Sequence, residues 1–143
     1  MKIRDVLRTK GPAVITIAPD VPVQEAMRVL VRNRIGALVV HDGKLRGIIT
    51  ERDLLRWGGE DIHRLITSRV RDLMTVEVIT ASPDAEIEEV MDTMVERRIR
   101  HLPIMENGAL CGIISIGDVV NALRQSVEVE NRYLHAYIEG TPL

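Results

Sequence analysis

The sequence contains no phenylalanine, and Trp57, Tyr133 and Tyr137 are its only large aromatic residues. A stacking platform for single-stranded nucleic acid needs several exposed rings beside a basic groove, and this chain cannot assemble one. Any planar ligand must therefore be held mostly by aliphatic side chains and backbone. Cysteine is almost as scarce: Cys111 stands alone in a strand-like apolar run, reads as core, and has no partner in the chain for a disulfide. The start, MKIRDVLR, lacks the apolar run of a signal peptide, so a reducing cytoplasmic setting is expected. No stretch approaches the roughly 18 apolar residues of a membrane span. The net charge of −2 argues against a general nucleic-acid or membrane surface. His41, His63 and His135 show no metal-ligand spacing, and the sequence offers no nucleophile–base pair and no Walker-type loop. No enzymatic activity, required cofactor or metal site is expected.

What is present is a repeat. Ile17-Ala18-Pro19-Asp20 is answered by Ala81-Ser82-Pro83-Asp84, 64 residues on. At that offset Val23, Ala26, Met27, Leu30 and Val31, spaced as one face of an amphipathic helix, are matched by Ile87, Val90, Met91, Met94 and Val95. A strand at Ala37–His41 then matches His101–Met105. Turns follow at Asp42-Gly43-Lys44 and Glu106-Asn107-Gly108-Ala109, with return strands at Leu45–Thr50 and Leu110–Ser115. Upstream, Ile3–Leu7 resembles Val70–Met74, leading into short strands at Val14–Ile17 and Val78–Ala81.

The pattern predicts an α/β (α+β) fold of two β-α-β-β-α units packed about a pseudo-twofold axis, with an extended C-terminal helix. In sequence terms the first unit takes residues 1–60, the connection 61–69, the second unit 70–125 and the helical extension 126–143. The stripe Val119, Val120, Leu123, Val127, Leu134, Tyr137 and Ile138, ending at Gly140, fits either a dimerisation or partner-binding helix or a tail folded over its own domain.

Both hairpins end in one phrase, Gly47-Ile48-Ile49-Thr50-Glu51-Arg52-Asp53 and Gly112-Ile113-Ile114-Ser115-Ile116-Gly117-Asp118. A hydroxyl at the strand end and a carboxylate three residues later point the same way, beside the free N–H groups of a helix N-terminus. The hydroxyl and the N–H groups suit a phosphate oxygen, and the carboxylate suits a vicinal diol. The same spacing is that of a helix-capping box. Glycine within each strand implies a close approach to the backbone at that point.

These phrases, the repeat and Arg100-His101-Leu102-Pro103-Ile104 together resemble the paired cystathionine β-synthase (CBS) domains, or Bateman module, over nearly all of residues 1–125. The resemblance implies two related nucleotide sites in the cleft between the units. Asp53 and Asp118 would accept hydrogen bonds from ribose hydroxyls, with Thr50 and Ser115 reaching ribose or phosphate. Backbone near Ile15 and Ile79 would read the adenine edge, and Ile48 and Ile113 would cover its faces. Arg100 and His101 match phosphate-holding positions, whereas the first unit has Gly36 and Ala37 there. If each acid shares a site with the other unit's second strand, the Asp53 site gains the Arg100-His101 pair and the Asp118 site lacks it.

The expectation that follows is a non-catalytic, energy- or redox-sensing module. It would bind AMP, ADP, ATP or an NAD-type dinucleotide, form a homodimer, and signal occupancy to a regulated protein. The alternative is a structural dimerisation module whose clefts are empty.

Overall fold

The computed structural model describes residues 1–11 and 13–139. Helix α1 (Ile3–Lys10) leads to a short strand β1 (Thr16–Ile17), helix α2 (Val23–Asn33) and the hairpin β2 (Ala37–His41) and β3 (Leu45–Thr50). Helices α3 (Glu51–Glu60), α4 (Ile62–Thr67) and α5 (Val70–Leu73) follow. The second unit continues with α6 (Ile87–Arg97), the hairpin β4 (His101–Glu106) and β5 (Ala109–Ser115), and the long helix α7 (Ile116–Glu139). The expected fold of paired units is present.

The hairpins are near copies. β2 and β3 pair antiparallel with an irregularity between Val40 and His41, and β4 and β5 carry theirs at the matching place, between Ile104 and Met105. Asn107 and Gly108 both take positive φ, as the tight two-residue hairpin turn requires. Helices α2 and α6 also end alike, each on an arginine in the left-handed region, Arg34 and Arg98, both at φ 54°. In each case the next amide bonds back to a carbonyl five residues earlier, Ile35 to Leu30 and Ile99 to Met94, both at 3.1 Å. This is the Schellman turn, with arginine where glycine is usual.

Two expectations need correction. Val31 and Val95 do not join the buried helix stripes: they are 79% and 64% exposed. At 100° per residue each lies about 80° round from the first residue of its stripe, at the edge of the buried face. The strand expected at Val78–Ala81 is reduced to one bridge, from Ala81 to Ile104. The segment before it is drawn away to the other sheet, where Thr75 exchanges both backbone hydrogen bonds with Ile48, at 2.9 and 3.0 Å. Residues 76–80 thus span the two sheets, and their β-branched side chains have no strand partner to form a ladder.

The connection is helical, not a loop: α3 runs through Gly58 and Gly59, and Asp61 caps α4 by accepting from the Arg64 amide at 3.1 Å. The units also exchange their lead-in helices. Val70 and Leu73 of α5 lie in the first core with Val23, Leu30, Leu38 and Ile49. Ile3 and Val6 of α1 lie in the second, with Ile87, Met94, Leu102, Ile114 and Val119. Matched backbone bonds fix each exchange: Val70 N–H to Val21 at 2.9 Å on one side, Ile3 N–H to Ala85 at 3.0 Å on the other.

Beyond the second core α7 stays helical to Glu139, with Val127 and Leu134 exposed at 55% and 58%, so this stretch is not folded over its own domain. The stop expected at Gly140 lies outside the described residues, as do the side chains of Tyr133, Tyr137 and Ile138.

Candidate functional site

Two cavities open where the units face each other. The first, of about 340 Å³, gathers Ile48, Thr50 and Asp53 from the first unit with Ile79, Arg100 and His101 from the second. Its wall is completed by the crossover residues Thr75, Glu77 and Val78. Thr50 and Asp53 do form a capping box: the Asp53 amide donates to Thr50 Oγ1 at 3.1 Å, and the Thr50 amide donates to Asp53 Oδ2 at 3.0 Å. Capping does not exhaust the carboxylate. Among the described residues Asp53 Oδ1 accepts no hydrogen bond; Arg56 lies 3.7 Å from it, and the Asp53 side chain is 11% exposed. A carboxylate oxygen left open at a cavity wall is a strong acceptor for a hydroxyl donor.

Arg52, Arg56 and Arg98 join Arg100 around this cavity, against the acids Glu51 and Glu77. The Arg52 guanidinium donates to the Arg98 carbonyl at 3.2 Å, tying α3 of one unit to the α6 terminus of the other. Sequence reasoning missed Arg52 and Arg56.

The second cavity, of about 270 Å³, holds Ile15, Ile113 and Ser115. Ser115 and Asp118 form the equivalent box, with the Ser115 amide donating to Asp118 Oδ2 at 2.8 Å and the Asp118 amide to Ser115 Oγ at 3.1 Å. Here Lys10 lines the cavity and Asp118 does not. Lys10 Nζ donates to Asp118 Oδ2 at 2.7 Å and to the Ile113 carbonyl at 2.8 Å. Burial works to raise the Asp118 pKa, but the Lys10 ammonium and the Ser115 amide outweigh it and hold the carboxyl below its ordinary range.

The Arg100-His101 pair is divided. Arg100 lines the first cavity only, whereas His101 lines both. Its ring fits against Gly36, where a Cβ would come within 3.2 Å of the imidazole and 2.9 Å of the Glu51 carboxylate. The Asp118 side does not lack cationic side chains, because Lys10 and Arg34 line that cavity beside His101. Burial pushes the His101 imidazole below the usual histidine range, against the pull of Glu51 and with the push of Lys10. Its charging thus begins below the pH of about 6.5 expected of an ordinary imidazole.

The strand glycines serve the chain's own packing and not a ligand. A Cβ on Gly47 would lie 2.6 Å from the Thr75 carbonyl oxygen, and one on Gly112 would lie 2.6 Å from a Leu7 methyl. Cys111 is partly buried and donates to the Ile104 carbonyl at 3.3 Å. Among the described residues no three His, Cys, Asp or Glu side chains are grouped to hold a metal, and no helix is long and apolar enough to cross a membrane.

Two units that face each other across paired clefts, each cleft bordered by a hydroxyl–carboxylate helix start, define a tandem-domain module with interdomain clefts. The chain belongs to the CBS domain family, whose model matches residues 3–60 and 70–125. It is similar to a CBS-domain containing protein from Agrobacterium tumefaciens, with 40% identity, a TM-score of 0.83, and coverage of 85% of this chain and 98% of that one. The mitochondrial CBS domain-containing protein CBSX3 of Arabidopsis thaliana is 35% identical over 96% of this chain and 72% of its own length. The CBS domain pair of protein MJ0100, solved in complex with 5′-methylthioadenosine and S-adenosyl-L-methionine, is 26% identical with a TM-score of 0.77, covering 88% of this chain and 98% of that one.

Proposed function

We propose that this chain is a regulatory module that binds an adenine nucleoside or nucleotide in the cleft between its units and carries out no chemistry on it. The observation that carries the reading is the Asp53 cavity. One carboxylate oxygen outside the helix cap is available to a ribose diol, the aliphatic Ile48 and Ile79 offer surfaces to a base, and Arg100 with its neighbouring arginines stands ready for phosphate. The adenosine ligands of the MJ0100 domain pair support the base and the ribose. The arginines favour AMP, ADP, ATP or an NAD-type dinucleotide over a neutral nucleoside. The ligand's presence is passed on to a regulated protein.

The module acts as a homodimer in this reading. Val31, Leu55 and Ile62 border an apolar groove on the outer side of α2, α3 and α4, and the repeat-related Val95 and Val120 are exposed on the other unit.

A thermal-shift series with adenosine, AMP, ADP, ATP and NAD tests the binding claim. A ligand at 100 times its Kd adds about 2.7 kcal/mol to stability. Asp53→Ala should weaken binding about 10- to 150-fold, since a hydrogen bond to a charged group is worth about 1.5–3 kcal/mol. If no nucleotide shifts the transition, the clefts are structural and the reading fails.

A further inference from the structure

The two cavities are built from repeated parts, yet only one has a lysine bonded to its carboxylate. Leu7 packs over Gly112 and Met74 over Gly47, which makes the segments after α1 and α5 structural counterparts, 67 residues apart. By that count the counterpart of Lys10 is Glu77, and Glu77 lines the Asp53 cavity. Asp118 is therefore bonded by the chain's own ammonium at 2.7 Å, whereas the matching place beside Asp53 holds a carboxylate, and Arg56 is a more distant cation at 3.7 Å.

The cause lies in chain length. The offset between the copies falls from 67 at Ile3 and Val70 to 64 at Pro19 and Pro83, so the first lead-in is three residues longer. Those residues let α1 run on to Lys10, whereas α5 stops at Leu73. They also change what satisfies one carbonyl. Ile48 accepts from the Thr75 amide at 2.9 Å in a backbone bridge, while its repeat partner Ile113 accepts from Lys10 Nζ at 2.8 Å. Lys10 thus has two built-in acceptors on the second unit. Its side chain is 31% exposed and that of Asp118 23%, so the pair is largely sheltered from water.

We propose that Lys10 reserves the Asp118 cavity. Its ammonium lines that cavity and bonds Asp118, which does not itself line it, so each chain takes up one adenine nucleoside, in the Asp53 cavity, and Lys10 is the residue that sets this selection. The proposal rests on the nucleoside-binding reading above. A ligand in the second cavity meets Lys10, held by two hydrogen bonds, before it reaches Asp118, whereas Asp53 itself lines the first.

The test is calorimetric titration with two probes, AMP and the uncharged 5′-methylthioadenosine, because the uncharged probe separates the diol contact from any effect of Lys10 on phosphate. Wild type should bind one equivalent per chain, lost in Asp53→Ala and kept in Asp118→Ala. Lys10→Ala and Lys10→Met, the latter retaining the aliphatic stem, should bind two equivalents, and adding Asp118→Ala should remove the second. Independently of any ligand, a carbon-13 NMR titration should find the Asp118 carboxyl pKa higher in Lys10→Ala than in wild type. Two equivalents in wild type, or one in both Lys10 variants, overturns the selection while leaving nucleoside binding intact. An unmoved Asp118 pKa overturns the contact itself. Uptake of neither probe by any of the proteins removes the nucleoside reading and this inference with it.

Discussion

His101 and Gly36 line both cavities, and the position of His101 has a cost that depends on pH. The ring is seated against Gly36, with Glu51, Lys10, Asp118 and Arg100 as its charged surroundings, and burial keeps its proton affinity below that of a free imidazole. A base whose folded pKa is depressed binds fewer protons folded than unfolded in the interval between the two values. Stability there rises with pH. As pH falls below about 6.5, the unfolded chain gains a proton that the folded chain does not, and the fold weakens until the lower folded value is passed. His101→Gln, which cannot charge, should flatten this part of the curve. Urea midpoints for both proteins at intervals between pH 5 and 7.5 check it, and parallel curves would show that His101 is not held neutral. Asp118 works in the opposite range, because its lowered pKa adds stability that disappears only as pH drops through and below the ordinary carboxylate region.

At the scale of elements, the glycines in the two return strands look interchangeable in sequence and are not so in space. The Cβ of Gly47→Ala would meet a backbone carbonyl, that of Thr75, held by the bridge to Ile48. Gly112→Ala would meet the end of the Leu7 side chain, which can rotate away. We expect Gly47→Ala to cost about 1–3 kcal/mol, the range for overpacking. For Gly112→Ala, alanine's advantage of about 0.5–1 kcal/mol inside a strand offsets most of the penalty. Equilibrium urea denaturation of the two variants should separate them; equal losses would mean that the Thr75 bridge yields as easily as a leucine methyl. Gly47→Ala should also weaken nucleotide binding, because the crossover it displaces is a wall of the Asp53 cavity.

These elements also mark what can be read from a sequence. The helices and hairpins were legible because each carries its own period: Val23 to Leu30 and Ile87 to Met94 specify a helical face without reference to anything else. The hydroxyl and acid of each box were legible for the same reason, being three residues apart. Val78–Ala81 was misread as a strand because β-branched side chains signal one, while the absence of a partner strand for most of it is a fact of tertiary structure. Lys10 was overlooked because its partner lies 108 residues away and no local pattern links them.

For the molecule as a whole, the exposed apolar side chains are not scattered. Val31 and Val95, and likewise Leu55 and Val120, are repeat-related pairs, so the two units leave corresponding surfaces bare. A twofold assembly that buries one surface can bury the other by the same operation. Carrying both Leu55→Glu and Val120→Glu, the protein should sediment as a monomer at micromolar concentration where wild type sediments as a dimer. Truncation after Arg124, which removes Val127 and Leu134, should weaken the dimer without unfolding either core. A wild-type monomer at that concentration would dismiss the assembly.

The exchange of α1 and α5 bears on how the chain folds as it is made. Ile3 and Val6 are synthesised well before Val119 and Ala122, the residues on α7 beside which they are finally buried. At translation rates of about 5–20 residues per second, that interval of 113 residues from Val6 to Val119 lasts roughly 6 to 23 seconds. Until Ala85 and Ile87 emerge the apolar side of α1 has no native partner in the second core, and it lacks α7 for the whole interval, while the first core closes as soon as Leu73 emerges. Synthesis should therefore proceed in two stages, the first unit maturing on its own with α1 held over. A ribosome stalled in the loop between β4 and β5 should yield a chain that resists protease from β1 to α5 and is cut within α1.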